Sequence, residues 1–317
     1  MDRDDTRATG HMGKASAVSW AQHTSEECRR TDPQEHTGGR FDTGLALSSY
    51  HVEDADVEYV DTSNVNPCDW PEYDLANTLL QLYFDHAHTT FPILDRADFM
   101  AKYESFSRGS SDLDQAEVIW LGTLNAIFAI SAVYGDLVNC EGQGHVDDHL
   151  IYCARAKMLC MDQDLLFQDA RVSMTCFLGL MTLYYVSLCK LNRWVLDRLN
   201  WPVSFELTSC SAWTICGLAI RNAPTLGLHV RSEVDALSDV DKEHRVRLWW
   251  SLYSLEVLLS ELTGRSSCIS DRDISTPLPV NIDEGSFLSN RPLYEREDSG
   301  HTSHTGSSSR RSSIGKL

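Results

Sequence analysis

Two stretches of this chain are apolar from end to end. Val118 to Gly135 (VIWLGTLNAIFAISAVYG) holds no charged residue, and Val172 to Cys189 (VSMTCFLGLMTLYYVSLC) repeats the pattern. Each approaches the length of a membrane-spanning helix. Both are nevertheless dotted with Thr123, Asn125, Ser131, Thr175, Thr182 and Ser187, neither has Lys or Arg clustered on one side, and amphipathic segments flank them. The pattern therefore predicts two helices buried in a protein core, and no membrane partner.

A third stretch, Ser238 to Pro279, carries its own boundaries. Ser238 and Asp241 form a capping box, and Gly264 stops the helix that follows. Val246, Trp249, Trp250, Tyr253 and Val257 share one face, while Leu248, Leu252, Leu255, Leu259 and Leu262 fill the next. Arg247, Ser251, Ser254, Glu256, Ser260 and Glu261 are left as polar positions facing water or a buried partner. A helix apolar on two sides belongs at the centre of a fold. The continuation, GRSSCISDRDI and then Pro277 and Pro279, predicts a tight turn, a short capped segment and an extended exit.

Shorter runs complete an all-α reading, a single irregular helical bundle. Leu75, Leu79, Leu80, Leu82, Tyr83 and Phe84 recur at helical spacing, and Phe91-Pro92-Ile93-Leu94 predicts an extended buried corner before Phe99 and Tyr103. Ala212 to His229 packs Trp213, Cys216, Leu218 and Ile220, with Pro224 predicting a kink or an early stop. The bundle spans residues 71–285. Residues 1–70 are polar, without helical period, and read as a disordered acidic segment; 286–317, ending GHTSHTGSSSRRSSIGKL, read as a disordered Ser-rich tail.

Composition narrows the function. With 317 residues and 42% hydrophobic content, the chain is long enough for one large helical domain with tails, although length alone permits two. Its 46 acidic against 27 basic residues give a formal charge of −19, which repels phosphate backbones, so these residues are not expected to hold DNA by themselves. Within residues 1–70, YHVEDADVEYVDTSNV alternates acids with Val and Tyr, the composition of activation segments and also of solvated linkers. The ten cysteines form no Cys-x-x-Cys pair; Cys153, Cys160, Cys176, Cys189 and Cys216 sit among helical apolar residues and read as reduced core thiols of an intracellular protein. MDRDDTRATGHMGK has no signal-peptide core.

No catalytic arrangement emerges. G-x-S-x-G, Walker and G-x-G-x-x-G motifs are all missing, so an enzyme is not expected and no catalytic residue is assigned. His86 and His88 diverge on a helix, with Asp85 a weak third ligand. His145 and His149 stand four apart with Asp148 alongside, a spacing that suits zinc and supports a metal-dependent enzyme as a remote alternative; a capping Asp beside surface histidines is the simpler reading, and no metal or cofactor ligand is assigned. Arg221, Arg245 and Arg247 lie near the tryptophans and near Asp271 and Asp273, which predicts charge-assisted hydrogen bonds from arginine to the SDRD turn, with a ligand-reading arginine as the other role. Arg310-Arg311-Ser312-Ser313 matches a basic-directed kinase site.

The RLWW helix followed by a GR-SS-IS-D-DI-PLP exit resembles the fungal-specific transcription factor domain, the middle homology region of fungal regulators that carry a binuclear zinc cluster. LLQLYFDHAHTTFPILDRADFMAKY (Leu79 to Tyr103) and AWTICGLAIRNAPTLGLH (Ala212 to His229) resemble that family's opening and third blocks, so the likeness runs from about Pro71 to Asp283. It implies an all-helical regulatory domain in the nucleus, acting on RNA polymerase II transcription. Implied partners are transcriptional co-regulators, a small-molecule effector in a cleft among the helices, and a second copy in a homodimer. DNA and zinc binding are implied by the family alone, through a Cys-rich cluster for which Cys28 and Cys68 stand too far apart. Either the gene model lost a first exon, or this is a module that binds another regulator and leaves DNA to it. The family also continues past the PLP exit with further helices, so the domain in this chain is expected to be incomplete.

One segment departs from the resemblance. LNR should lead almost directly into AWTICGLAIR, yet residues 194–211 (WVLDRLNWPVSFELTSCS) intervene, apolar without a sustained period and interrupted by Pro202. Leu207-Thr208 can be encoded by a CTAAC branch-point-like string and Cys210-Ser211 by a TGCAG acceptor-like string. The segment is thus expected to be either a retained intron or a tolerated surface insertion.

Overall fold

Helices dictated by these patterns pack in a computed structural model that describes residue 24 and residues 65–106, 113–138, 148–161, 164–199, 204–232, 237–282 and 284–286. Seven helices carry the fold: α1 (Tyr73–Leu82), α2 (Arg96–Ser105), α3 (Gln115–Val138), α4 (Asp148–Cys160), α5 (Val172–Leu199), α6 (Ser204–Thr225) and α7 (Asp239–Thr263). No strand occurs among the described residues, so the all-α expectation holds.

The two apolar helices are the centre. α3 packs on α1, α4 and α5; α5 in turn packs on α6 and α7, and α6 on α7. By length and composition α3 is long and apolar enough to cross a membrane, but its face residues from Ile119 to Val133 lie inside this fold. Their polar neighbours donate to backbone carbonyls, although Asn125 Oδ1 is buried without a partner among the described residues. Thr123, Asn125, Thr182 and Ser187 each donate to the carbonyl four residues back, and Ser131 donates across to Leu79 at 2.7 Å, tying α3 to α1. A buried hydroxyl with such a partner avoids its desolvation cost, which explains how these helices tolerate polar residues.

Close approach needs small residues at two crossings. At Gly122 a side chain would run into the Cys160 thiol of α4, and at Gly179 an added Cβ would stand 2.9 Å from Leu252 of α7. The α5–α7 crossing brings the tryptophan helix against the core.

The first block behaves as its spacing predicts, with one irregularity. α1 runs on through a π-helical turn, Tyr83–Ala87, and a short turn, His88–Thr90, before the chain opens at Phe91. The wider turn carries Tyr83, Phe84 and His88 inward and leaves Asp85 and His86 exposed. Ile93 and Leu94 form the buried corner, held by the Cys176 thiol on the Ile93 carbonyl at 3.3 Å. Trp70 already belongs to the core, stacking on Tyr103 and Phe106 at 5.7 and 5.5 Å. Aside from residue 24, the acidic segment up to residue 64 lies outside the described residues, as do 287–317.

Residues 194–211, without a sustained period in the sequence, are helical at both ends. Residues 194–199 close α5 and 204–211 open α6, while 200–203, with Pro202, lie outside the described residues. Leu, Glu and Arg are helix formers, and a proline that falls between two helices breaks neither. α6 then ends one residue past Pro224, where Gly227 at φ 70° turns the chain. This is the early stop that Pro224 predicted.

Candidate functional site: the polar row of α7 and its strap

α7 begins and ends where its sequence says. Ser238 Oγ accepts from the Asp241 N–H at 3.1 Å while Asp241 accepts from the Ser238 N–H, and Gly264 closes the helix at φ 65°. Trp249 is buried, along with Val246, Leu248, Leu252, Leu255 and Leu259. Glu243, Arg247, Trp250, Tyr253 and Glu256 follow one another three or four residues apart and wind part-way round the helix, from Arg247 at the strap side to Glu256 beside the buried Trp249. Three of these five are charged, and those three are buried: Glu243 (0% exposed), Arg247 (9%) and Glu256 (1%).

Their partner is the chain that follows. After Gly264 it reverses and lies along α7 as an extended strap. Glu256 accepts from the Cys268 N–H at 2.8 Å, Tyr253 donates to Asp271 at 3.0 Å, and the Trp250 indole donates to the Pro277 carbonyl at 2.7 Å. Glu243 accepts from the Val280 N–H at 3.0 Å, and Arg247 donates to the carbonyls of Val280 and Ile282 at 3.3 and 2.8 Å. As the helix number rises the strap number falls, so the two run antiparallel. From Glu243 to Glu256 the helix advances about 20 Å, whereas the strap residues facing it would reach about 40 Å fully extended. The short 3₁₀ turn Asp271–Asp273 takes up part of the slack. The loop after α6 adds a second rail, the His229 carbonyl accepting from the N–H groups of Ser275 and Thr276 at 3.0 and 3.1 Å.

The strap ends in a charged clasp. Glu284 accepts from His88 Nε2 at 3.0 Å and lies 3.5 Å from Arg247 Nη1, joining the short turn after the π-helical one to α7. Glu243 anchors the other side of Arg247 at 2.9 Å, and His244 donates to Asp95, the N-cap of α2, at 3.0 Å. Burial alone would raise the Glu284 carboxyl, but the His88 hydrogen bond and the charges of His88, Arg247 and His244 outweigh it and hold the group below the ordinary range. The His244 hydrogen bond does the same for Asp95 against its partial burial, helped by the Asp98 and Ala97 N–H groups. At the edge of the clasp the Tyr83 hydroxyl is buried without a hydrogen-bond partner among the described residues.

Several expected roles are reassigned. Arginine does pin the tail, but not at the SDRD turn: Arg247 grips Val280, Ile282 and Glu284, Arg245 donates to the Leu226 carbonyl, and Arg221 is exposed. The turn itself is tied down by the Tyr253 phenol. The reason is register, since an antiparallel strap sets Asp271 beside the C-terminal half of α7, beyond the reach of residue 247. His149 is half-buried against α5, its Nδ1 2.9 Å from the Tyr184 hydroxyl, rather than a surface residue. His145 lies outside the described residues, as does the side chain of Asp148, and no group of three metal-binding side chains occurs among the described ones. Cys153, Cys160, Cys176 and Cys216 are buried free thiols, as expected, while Cys68 and Cys268 are exposed; the Cys189 side chain lies outside the described residues. Burial pushes Cys160 and Cys176 up to about 12.

Glu243 and Glu284 were not anticipated. A signal for Glu243 was present: it stands four residues before Arg247, the spacing of an ion pair on one helix. Glu284 had none, because its partners lie in the first block and the helix, far away in sequence.

Comparison with known proteins places these elements. The family described as the fungal specific transcription factor domain matches residues 80–315. A transcription regulator named galc from Aspergillus niger is 30% identical over 300 residues, covering 90% of this chain and 34% of that protein. Transcription factor FBD3 of Gibberella moniliformis is 30% identical over 208 residues, 66% of this chain and 25% of its own length. The negative regulator of pleiotropic drug resistance STB5 of Candida glabrata is 29% identical over 236 residues, 70% of this chain and 20% of its own. The chain thus spans about a third or less of the length of these relatives. No solved structure matches it.

Proposed function

Because the chain belongs to the fungal-specific transcription factor domain family, we propose that it is the regulatory domain of a fungal transcription regulator, controlling RNA polymerase II transcription in the nucleus through contacts with co-regulators rather than by catalysis. The observation that carries this reading is the α7–strap unit: a buried Trp249 on a capped helix, with the chain after Gly264 folded back along it, lies within the family match at 80–315. In this reading the domain acts through contact surfaces and a small effector bound among the helices.

DNA binding belongs, in this reading, to a zinc cluster outside these residues or to a partner protein. The −19 charge and the lack of any Cys-x-x-Cys pair in the 317 residues support that division of labour. The acidic charge fits equally a second reading, a module that binds another regulator and leaves DNA to it.

One experiment addresses both. The chain is fused to a heterologous DNA-binding domain and reporter transcription is measured in a fungal host, with Trp249→Ala as the disrupted control. A change in reporter output that Trp249→Ala abolishes is the expected result; output equal to that of the bare DNA-binding domain argues against a regulatory role. Metal analysis of the purified chain is expected to find no stoichiometric zinc, and a one-to-one zinc content would revive the metal-enzyme alternative.

A further inference from the structure

The strap is held the way a bound peptide is held. Its backbone groups are read by side chains of α7 and by the loop after α6, and among the described residues it pairs with no strand. It adds little to the core: of residues 266–282 only Thr276 is buried, Ile269 and Ile274 are half-covered, and Leu278 is 71% exposed between two prolines. Segments with few buried apolar contacts are the ones that open locally at low cost. The reading groups behave oppositely. Glu243, Arg247 and Glu256 stand on a helix held in the core through Trp249, Leu252, Leu255 and Leu259, with Glu256 itself on the core side.

We propose that these groups of α7 form a peptide-binding groove, filled in cis by residues 268–282 and 284–286 and open, once the strap lifts, to an extended proline-bearing segment of a partner protein that ends in an acidic side chain. The strap itself defines what fits. The incoming segment offers an N–H to Glu256, a carbonyl to the Trp250 indole, an N–H to Glu243, two carbonyls to Arg247, and finally a carboxylate to His88 and Arg247. Main-chain bonds of this kind supply affinity, and the charged end supplies direction and register. An empty groove leaves the Glu243–Arg247 pair half-served, so exchange of one segment for another is favoured over a bare face. Glu284 is the bolt, since it is the strap's contact with the first block.

The test uses the full chain and a fluorescein-labelled synthetic peptide of residues 266–286. Glu284→Gln in the chain removes the charge of the cis clasp. Hydrogen exchange at the Cys268 and Val280 amides is then expected to rise about tenfold, and the peptide to bind about tenfold more tightly than to the unaltered chain. The same peptide carrying Gln at its own position 284 is expected to bind about tenfold more weakly. Trp250→Phe in the chain weakens peptide binding while leaving exchange in α3 and α5 unchanged. The proposal falls if the peptide and a scrambled version bind alike, or if neither chain binds it. It falls equally if Glu284→Gln raises exchange only at residues 284–286. The reporter assay is indifferent to these outcomes, so failure here leaves the regulatory reading standing.

Discussion

Glu243 and Arg247 show how much one buried residue asks of its surroundings. Taking a carboxylate and a guanidinium out of water is costly, and the pair repays it only with further hydrogen bonds, which Val280 and Ile282 provide. Removing one partner strands the other. Arg247→Ala is therefore expected to destabilise the chain by about 3 kcal/mol or more, read from the urea midpoint, and Arg247→Lys by less, since an ammonium keeps the charge but loses the fork that reaches two carbonyls and two carboxylates. An Arg247→Ala variant as stable as the parent contradicts the buried-clasp account. Thiols give a second check at this scale. With Cys160 and Cys176 buried and pushed up to about 12, a thiolate-specific reagent at pH 8 is expected to label Cys68 and Cys268 in the folded chain and to reach Cys160 and Cys176 only after denaturation, which peptide mapping checks.

Helix α7 is the element on which the strap and the core both depend, and its ends are local devices. Ser238→Ala removes the hydroxyl that accepts the Asp241 N–H and is expected to cost about 1 kcal/mol. Gly264→Ala places a Cβ in a left-handed residue and is expected to cost about as much, measured as a lower urea midpoint at unchanged slope. The two act at opposite ends with no shared contacts, so their effects should add. The junction of α5 and α6 is a separate matter. If residues 194–211 are a retained intron, complementary DNA across Lys190 to Ala212 includes spliced transcripts lacking them; a single unspliced species bearing no donor string near Trp194 rules that out.

At the scale of the molecule, the clasp joins the two ends of the described fold: His88 lies in the first block, Glu284 in the last described turn, and Arg247 between them. This couples stability to pH with a definite sign. Asp95 and Glu284 both titrate below their ordinary values in the fold, so their contribution is fully present above the unfolded carboxylate range and is lost as pH falls through the depressed folded values. Stability is thus expected to drop as the pH is lowered below about 4, with Glu284→Gln flattening that limb. A Glu284→Gln chain with the same acid limb as the parent would show that the clasp does not contribute. High salt is expected to affect the clasp less than exposed ion pairs, because Arg247 and Glu243 are shielded from it.

The helices, their caps, the buried tryptophan and the corner at Phe91 to Leu94 were legible in the chain alone, because period, capping chemistry and proline act between residues a few positions apart. The same holds for the family likeness, which rests on short runs of residues in order. The site was only half legible. A charged residue on an apolar helix says that a partner exists, and Arg247 said so; it does not say which of the carbonyls and carboxylates brought near by folding will be that partner. That choice fell to tertiary structure. The antiparallel lay of the strap set Tyr253, not arginine, beside Asp271, and the π turn swung His88 inward to meet Glu284 from almost two hundred residues away. Local rules decide what a segment becomes, and only packing decides what it faces.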